Sequence, residues 1–157
     1  MVTSTQYDVF KEIMLSRASV KRYDPNHVMP SEKIDELLTL AASAPSSWNL
    51  QHWRYLVISK EEQKQKLLPI AFGQKQISEA SIVVVILGDL ESYRTAHQIY
   101  GDMVDQGLMT RELRDSLISQ IEGAYADKIR SQMDATLNCG LTAMQLMLAA
   151  KSMGYDS

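Results

Sequence analysis

Two short stretches carry side chains whose types and spacing could do chemistry. In the first, Arg17-Ala18-Ser19-Val20-Lys21-Arg22, three cations and a hydroxyl fall within six residues. Arg17 offers a planar guanidinium fork, Ser19 a further donor and Lys21 a point charge, a set able to grip a phosphate. Taken alone the cluster has a simpler account, because cations near a helix C-terminus complement the helix dipole. The second stretch is Ala44-Pro45-Ser46-Ser47-Trp48-Asn49-Leu50-Gln51-His52-Trp53. It gathers hydroxyls, carboxamides and indoles in a segment that cannot be regular helix. A carboxamide presents donor and acceptor side by side, which matches the alternating polar edge of a flavin pyrimidine ring. Local turn hydrogen bonding explains Ser46 and Asn49 well, but it explains the density of the whole segment poorly.

Other candidates carry less. His27, His52 and His97 are scattered without ligand spacing, and Cys139 stands alone in an apolar stretch, so neither a metal site nor a Cys–His nucleophilic pair is expected. There is no Gly-x-Gly-x-x-Gly and no phosphate-loop motif. The nine methionines fall mostly at helical core spacing and read as packing, and charge runs such as Glu112-Leu113-Arg114-Asp115 read as solvated helix faces.

The elements that must position the two stretches follow from periodicity. A helix over Thr5–Ser16 places Val9, Phe10, Ile13 and Met14 on one face. Pro30-Ser31 opens a second helix, with Ser31 as cap, Glu32 and Asp35 at its positive end, and Ile34, Leu37, Leu38 and Ala41 as inner stripe. Pro45 ends that helix, since it disfavours helical geometry in the residue before it. Arg54–Ser59 and Ser81–Gly88 read as strands, the second an unbroken apolar run that predicts cover on both faces. Helical segments over Lys60–Leu68 and Gln74–Ala80 lie between them. From Tyr93 the chain is helical, with a break near Gln106-Gly107. The last helix, Asp127–Met153, is apolar nearly all round (Leu137, Leu141, Ala143, Met144, Leu146, Met147, Leu148), which predicts burial on most sides, and Gly154 is placed to end it.

With 157 residues, 45% of them hydrophobic, the chain can bury the core of one domain, and the layout is α+β. A net charge of -3 without a clustered excess of Lys and Arg argues against nucleic-acid binding. No apolar run is long enough to span a bilayer, and Met1–Phe10 lacks the pattern of a signal peptide. With one cysteine, a reducing cytoplasm is the expected location. Two strands make a weak sheet, and the chain ends at Ser157 directly after a helix read as buried. The expectation is therefore a partner strand from elsewhere, or a protein that continues further.

In order, the segments R-A-S-V-K-R-Y (Arg17–Tyr23), A-P-S-S-W-N-L-Q-H-W (Ala44–Trp53), G-Q-K-Q-I (Gly73–Ile77), Gly88-Asp89 and L-T-A-M-Q-L-M-L-A-A-K-S-M-G-Y-D (Leu141–Asp156) resemble the nitroreductase family, and within it the bacillary NAD(P)H nitroreductases and their quinone-linked relatives. The resemblance runs from about Val9 to the end. It implies a single dimeric nitroreductase-like domain over residues 1–157, with a central, mostly antiparallel sheet flanked by helices and without the family's C-terminal segment. It implies FMN as cofactor and NADPH or NADH as donor, with hydride passing through flavin N5 to nitro or quinone compounds by a ping-pong mechanism. No protein residue is assigned as catalytic. Arg17 and Ser19, with Ala18 between them, would bind the FMN phosphate and ribityl chain, and Lys21 would lie near N1 and O2 of the ring as electrostatic stabiliser. Pro45, Ser46, Ser47 and Asn49 would approach from the other subunit of a homodimer, with Gln51 nearby. Gln76 stands where many relatives carry lysine, and Gly73 where many carry a ring-contacting asparagine. A flavin-binding protein without turnover, a dimerisation domain and another reaction of the family are the alternatives.

Overall fold

In the computed structural model residues 4–157 are described. They form helices α1 (Ser4–Ser16), α2 (Ser31–Ala42), α3 (Glu61–Leu67), α4 (Lys75–Glu79), α5 (Ala96–Asp105), α6 (Arg111–Tyr125) and α7 (Lys128–Ser152), with strands β1 (Trp53–Ile58) and β2 (Val83–Gly88). Every helix and strand expected from periodicity is present. The strands pair in a two-stranded sheet. The Asp89 N–H donates to the His52 carbonyl at 2.6 Å, which sets the end of β2 beside the start of β1 and makes the pair antiparallel. The chain divides into two units: one holds the residues up to Ser43, Tyr55–Val85 and Ala143–Ser157, the other Ala44–Arg54 and Ile86–Thr142.

In the first unit the inner stripe of α2 is as expected: Leu37 and Ala41 are buried, and Leu37 packs in a core with Met29, Ala149 and Ala150. The cap is different. Pro30, extended at φ -60 and ψ 147, occupies the capping position, and its carbonyl accepts from Lys33 and Ile34. Ser31 is already helical, so its hydroxyl cannot reach back to the free N–H groups and turns to the Glu32 carboxylate at 3.2 Å. Lys64 is buried, and its ammonium donates to the carbonyls of Ser78 and Ala80 at 3.1 and 2.9 Å, closing the end of α4. Gly154 takes φ +85 and lets Tyr155 N–H reach the Ala150 carbonyl at 2.9 Å, so α7 stops where expected.

In the second unit α5 and α6 enclose Leu50, Tyr100, Ile121 and Tyr125. Thr110 caps α6 by accepting from Leu113 N–H at 3.2 Å. Gly88 lets the end of β2 lie close to α7: a Cβ there would stand 3.2 Å from Ala135 Cβ, so a larger residue would need α7 to give by a few tenths of an ångström.

Two burial expectations, for β2 and for α7, fail in the same sense. The shared apolar face of α1 is also open, with Val9, Phe10 and Met14 exposed. Strand β2 is half-buried at Val83–Ile86 and open at Leu87, because it has one hydrogen-bonded neighbour among the described residues. Along α7 in the second unit the faces are inverted. Apart from Ala135, the inward positions are polar (Ser131, Asp134, Asn138, Thr142), while Ile129, Met133, Leu137 and Leu141, spaced four apart, are exposed, Met133 and Leu137 by 63% and 60%. A helix that is apolar nearly all round has turned its polar stripe inward and an apolar stripe outward.

Candidate functional site

The basic segment leaves α1 after Arg17, whose N–H still bonds the Ile13 carbonyl at 3.2 Å. Arg17 is half-buried; Ala18, Ser19 and Lys21 are exposed. Among the described residues no carboxylate pairs with Arg17 or Lys21. Arg22 behaves differently. Its Nε lies 2.9 Å from each Glu79 carboxylate oxygen, and the same carboxylate accepts from Tyr23 N–H at 3.2 Å. The Arg22 hydrogen bond holds the Glu79 carboxyl below the ordinary carboxylate range. This staple ties the basic segment to α4, which carries Gln76 one turn earlier. Gln76, Arg22, Tyr23, His27 and Ile82 line a cavity of about 560 Å³ in the first unit. Gly73, in the loop before α4, sits at φ +70 with nothing within 4 Å of where a Cβ would be.

The hydroxyl–amide loop lies in the second unit, and its backbone is strained. Trp48, Asn49 and Gln51 take φ of 55, 55 and 49, left-handed values that cost non-glycine residues roughly 1–3 kcal/mol each. Such a turn persists only when its surroundings over-determine it. Here the Tyr100 hydroxyl donates to the Trp48 carbonyl at 2.8 Å, Thr95 to the Leu50 carbonyl at 3.3 Å, and Arg54 to the Gln51 carbonyl at 3.2 Å. Leu50 fills the core with no exposure.

These bonds fix the chemistry of the two serines. Ser46 Oγ accepts from Gln51 N–H at 3.0 Å, and Ser47 Oγ accepts from Asn138 Nδ2 at 3.3 Å. In each an acceptor lone pair is engaged while the hydroxyl hydrogen has no acceptor among the described residues. The pair is therefore set as two donors. Asn49 and Gln51 are exposed beside them, and Pro45 is exposed at the loop's entry.

Residues that sequence reasoning did not single out support this loop. His52, fully buried, meets the Tyr125 hydroxyl at 2.7 Å through Nε2. Tyr125 donates to Asp134 at 2.7 Å, and Arg130 Nε reaches the same carboxylate oxygen at 3.0 Å. Since Tyr125 gives its hydrogen to Asp134, it accepts from His52, which fixes the Nε2–H tautomer. Burial lowers the His52 pKa and raises that of Tyr125. For Asp134 burial acts upward, but the hydrogen bonds from Arg130 and Tyr125 outweigh it and hold the carboxyl low. The available signal was the spacing of Arg130, Asp134, Asn138 and Thr142, polar residues four apart within an apolar helix.

The nitroreductase family model matches residues 14–157. YodC of Bacillus subtilis, which carries the provisional name of an NAD(P)H nitroreductase, is 47% identical over 146 residues, covering 93% of this chain and 72% of YodC. A solved structure from Staphylococcus epidermidis, provisionally described as an NAD(P)H:FMN oxidoreductase, superposes with a TM-score of 0.88 at 41% identity, over 94% of this chain and 70% of that one. A nitroreductase-like protein of Exiguobacterium sibiricum, solved in complex with FMN, gives 0.86 at 38% identity over 94% and 71% of the two chains. A strained loop bearing two hydroxyl donors, a basic segment with unpaired cations and this breadth of likeness agree, and the chain belongs to the nitroreductase family of oxidoreductases.

Proposed function

We propose that this chain works as a cytoplasmic homodimer that binds FMN and moves hydride from NADPH or NADH to nitro or quinone compounds in two half-reactions, by a ping-pong scheme. When bound, FMN supplies the redox chemistry, taking up hydride and releasing it at N5. The protein's part is to bind, orient and bias that cofactor, and no protein acid or base is required.

The observation that carries the reading is unused binding capacity at the positions where the family motifs stand. Arg17 and Lys21 lack carboxylate partners among the described residues, and the hydroxyl hydrogens of Ser46 and Ser47 have no acceptor among them while each Oγ accepts a bond. A dianionic phosphate calls for a cation such as Arg17, and the N1–O2 edge of a reduced ring for one such as Lys21. A ring edge of alternating polar atoms needs hydroxyl donors and carboxamides such as Asn49 and Gln51. The donor set fits FMN. Arg17, with Ala18 and Ser19, would hold the phosphate and ribityl chain, Lys21 would supply positive charge at the N1–O2 edge, and Gln76 a neutral donor.

Pro45, Ser46, Ser47 and Asn49 would come from the second subunit. The homodimer is supported by the exposed apolar stripe Ile129, Met133, Leu137 and Leu141 on α7 and by exposed Val9 and Phe10 on α1, since such patches mark association surfaces. Among the described residues no helix is long and apolar enough to cross a membrane.

An absorption spectrum of the purified protein, taken before and after anaerobic NADPH or NADH, tests this. The expected result is a yellow protein that either donor bleaches and a nitro or quinone compound restores. A colourless protein defeats the flavin assignment, and a yellow one that neither donor bleaches defeats the enzymatic one.

A further inference from the structure

Asn138 is 1% exposed, on the inward face of α7. Its carboxamide grips Ser47 at two points: Oδ1 accepts from the Ser47 N–H at 3.0 Å, and Nδ2 donates to Ser47 Oγ at 3.3 Å. The same Nδ2 donates to the Asp134 carbonyl at 2.6 Å, one turn earlier on α7. The amide orientation is thus set by the helix that bears it. Of the other side chains that reach residues 48–51, Tyr100, Thr95 and Arg54 bond carbonyl oxygens, and Ser46 from within the loop accepts the Gln51 N–H.

We propose that Asn138 is a positioning residue that holds the left-handed Trp48–Gln51 turn in place and fixes the Ser47 hydroxyl as a donor toward the cofactor. The cofactor half rests on the flavin reading above; the loop half does not. Chemically, Asn138 does two separable things. By accepting the Ser47 N–H it anchors the residue that enters a turn with three strained φ values. By donating to Ser47 Oγ it fills an acceptor site and leaves the hydroxyl hydrogen for a ligand. An apolar residue at 138 would release the anchor and let the hydroxyl rotate back onto backbone acceptors.

Amide exchange followed residue by residue in Asn138→Ala separates the two halves. The Ser47 amide is expected to exchange roughly tenfold faster than in the parent, beyond any change at Ile118 and Ile121 in α6, which report unit stability. Ser47 protection that changes only in step with those amides overturns the inference whether or not flavin binds. In the same variant the FMN dissociation constant rises roughly tenfold and the visible circular dichroism of bound flavin changes. Ile121→Val, an equally buried change that removes no polar group, leaves both unaltered.

If Asn138→Ala does not fold, Ser47→Ala replaces it. That variant keeps the backbone anchor, so its residue-47 amide stays protected, while FMN affinity drops. An unprotected amide at position 47 there contradicts the anchoring role. A parent chain that takes up no FMN removes the flavin reading alone, and the Ser47 amide still decides the positioning claim.

Discussion

The Tyr125 hydroxyl donates to the Asp134 carboxylate at 2.7 Å and receives the His52 Nε2–H at the same distance. One phenol therefore sets the proton arrangement of a buried chain running from His52 through Asp134 to Arg130. The chain needs Asp134 ionised, and burial favours neutral His52, whose buried Nδ1 has no partner for a second proton.

This arrangement gives a pH dependence of one sign. Folding lowers the His52 pKa, so its contribution is present above the unfolded value of about 6.5 and is lost as pH falls below it. Asp134 is also depressed when folded, so its contribution is lost at lower pH, as the medium falls through the ordinary carboxylate range. Denaturant unfolding should show the chain less stable at pH 5.5 than at pH 7.5. His52→Gln, which does not titrate, should flatten that interval. Tyr125→Phe strands both neighbours and should cost about 1–3 kcal/mol at neutral pH. An equal pH slope in the parent and His52→Gln would show that His52 does not carry the effect.

The outward stripe of α7 predicts that Leu137→Glu dissociates the proposed homodimer without unfolding the subunit. Leu137 is 60% exposed in the single chain, so the substitution should change subunit stability by no more than about 0.5 kcal/mol. A buried carboxylate at an apolar contact, by contrast, is strongly opposed. Sedimentation velocity reads the outcome: a dimeric parent and a monomeric, folded variant are expected. A variant that sediments like the parent places the association surface elsewhere.

The two cations of the basic segment should separate affinity from potential. Arg17→Ala should weaken FMN binding by roughly ten- to a hundredfold, the range of a lost charge-assisted hydrogen bond. Equal affinity in a titration returns Arg17 to a helix-end cation. Lys21→Ala should retain much of the flavin but lower its reduction potential. In a two-electron couple about 1.4 kcal/mol corresponds to about 30 mV, so a shift of tens of millivolts is expected, and an unmoved potential removes the role assigned to Lys21.

What the sequence conveyed and what it withheld divide along a physical line. Periodicity is local, so α2 with Leu37 and Ala41 inward, both strands and the Gly154 stop were legible residue by residue. Motif order was legible too, and it named the serines and Asn49 of the loop. Whether an apolar stripe meets its own chain or another surface is not a local property. Leu137 was read as buried and stands outward, and the apolar face that carries Phe10 is exposed as well. Nor does periodicity show which polar residue will be buried. Asn138 and Asp134 were passed over inside an apolar helix, although their spacing of four was visible. Left-handed φ at Trp48, Asn49 and Gln51 had no signal in residue type beyond Asn49, because it is imposed by Asn138, Tyr100 and Thr95 from distant sequence.

The last prediction concerns Gly73, in the loop before α4. Its φ of +70 lies in the left-handed region, which asparagine tolerates better than most residues, and a Cβ there would meet nothing within 4 Å. Gly73→Asn should therefore fold with unchanged or slightly raised thermal stability, since it also reduces the freedom of the unfolded chain. If the loop before α4 faces the flavin ring, the added carboxamide supplies a new hydrogen bond, and FMN should bind several-fold more tightly. Gly73→Ala is the control. It adds a Cβ without a polar group and accepts the left-handed backbone less well, so it should bind FMN no better than the parent. Equal affinities for the two variants would mean that the loop does not approach the ring, and the placement of Gln76 at its edge would fall with it.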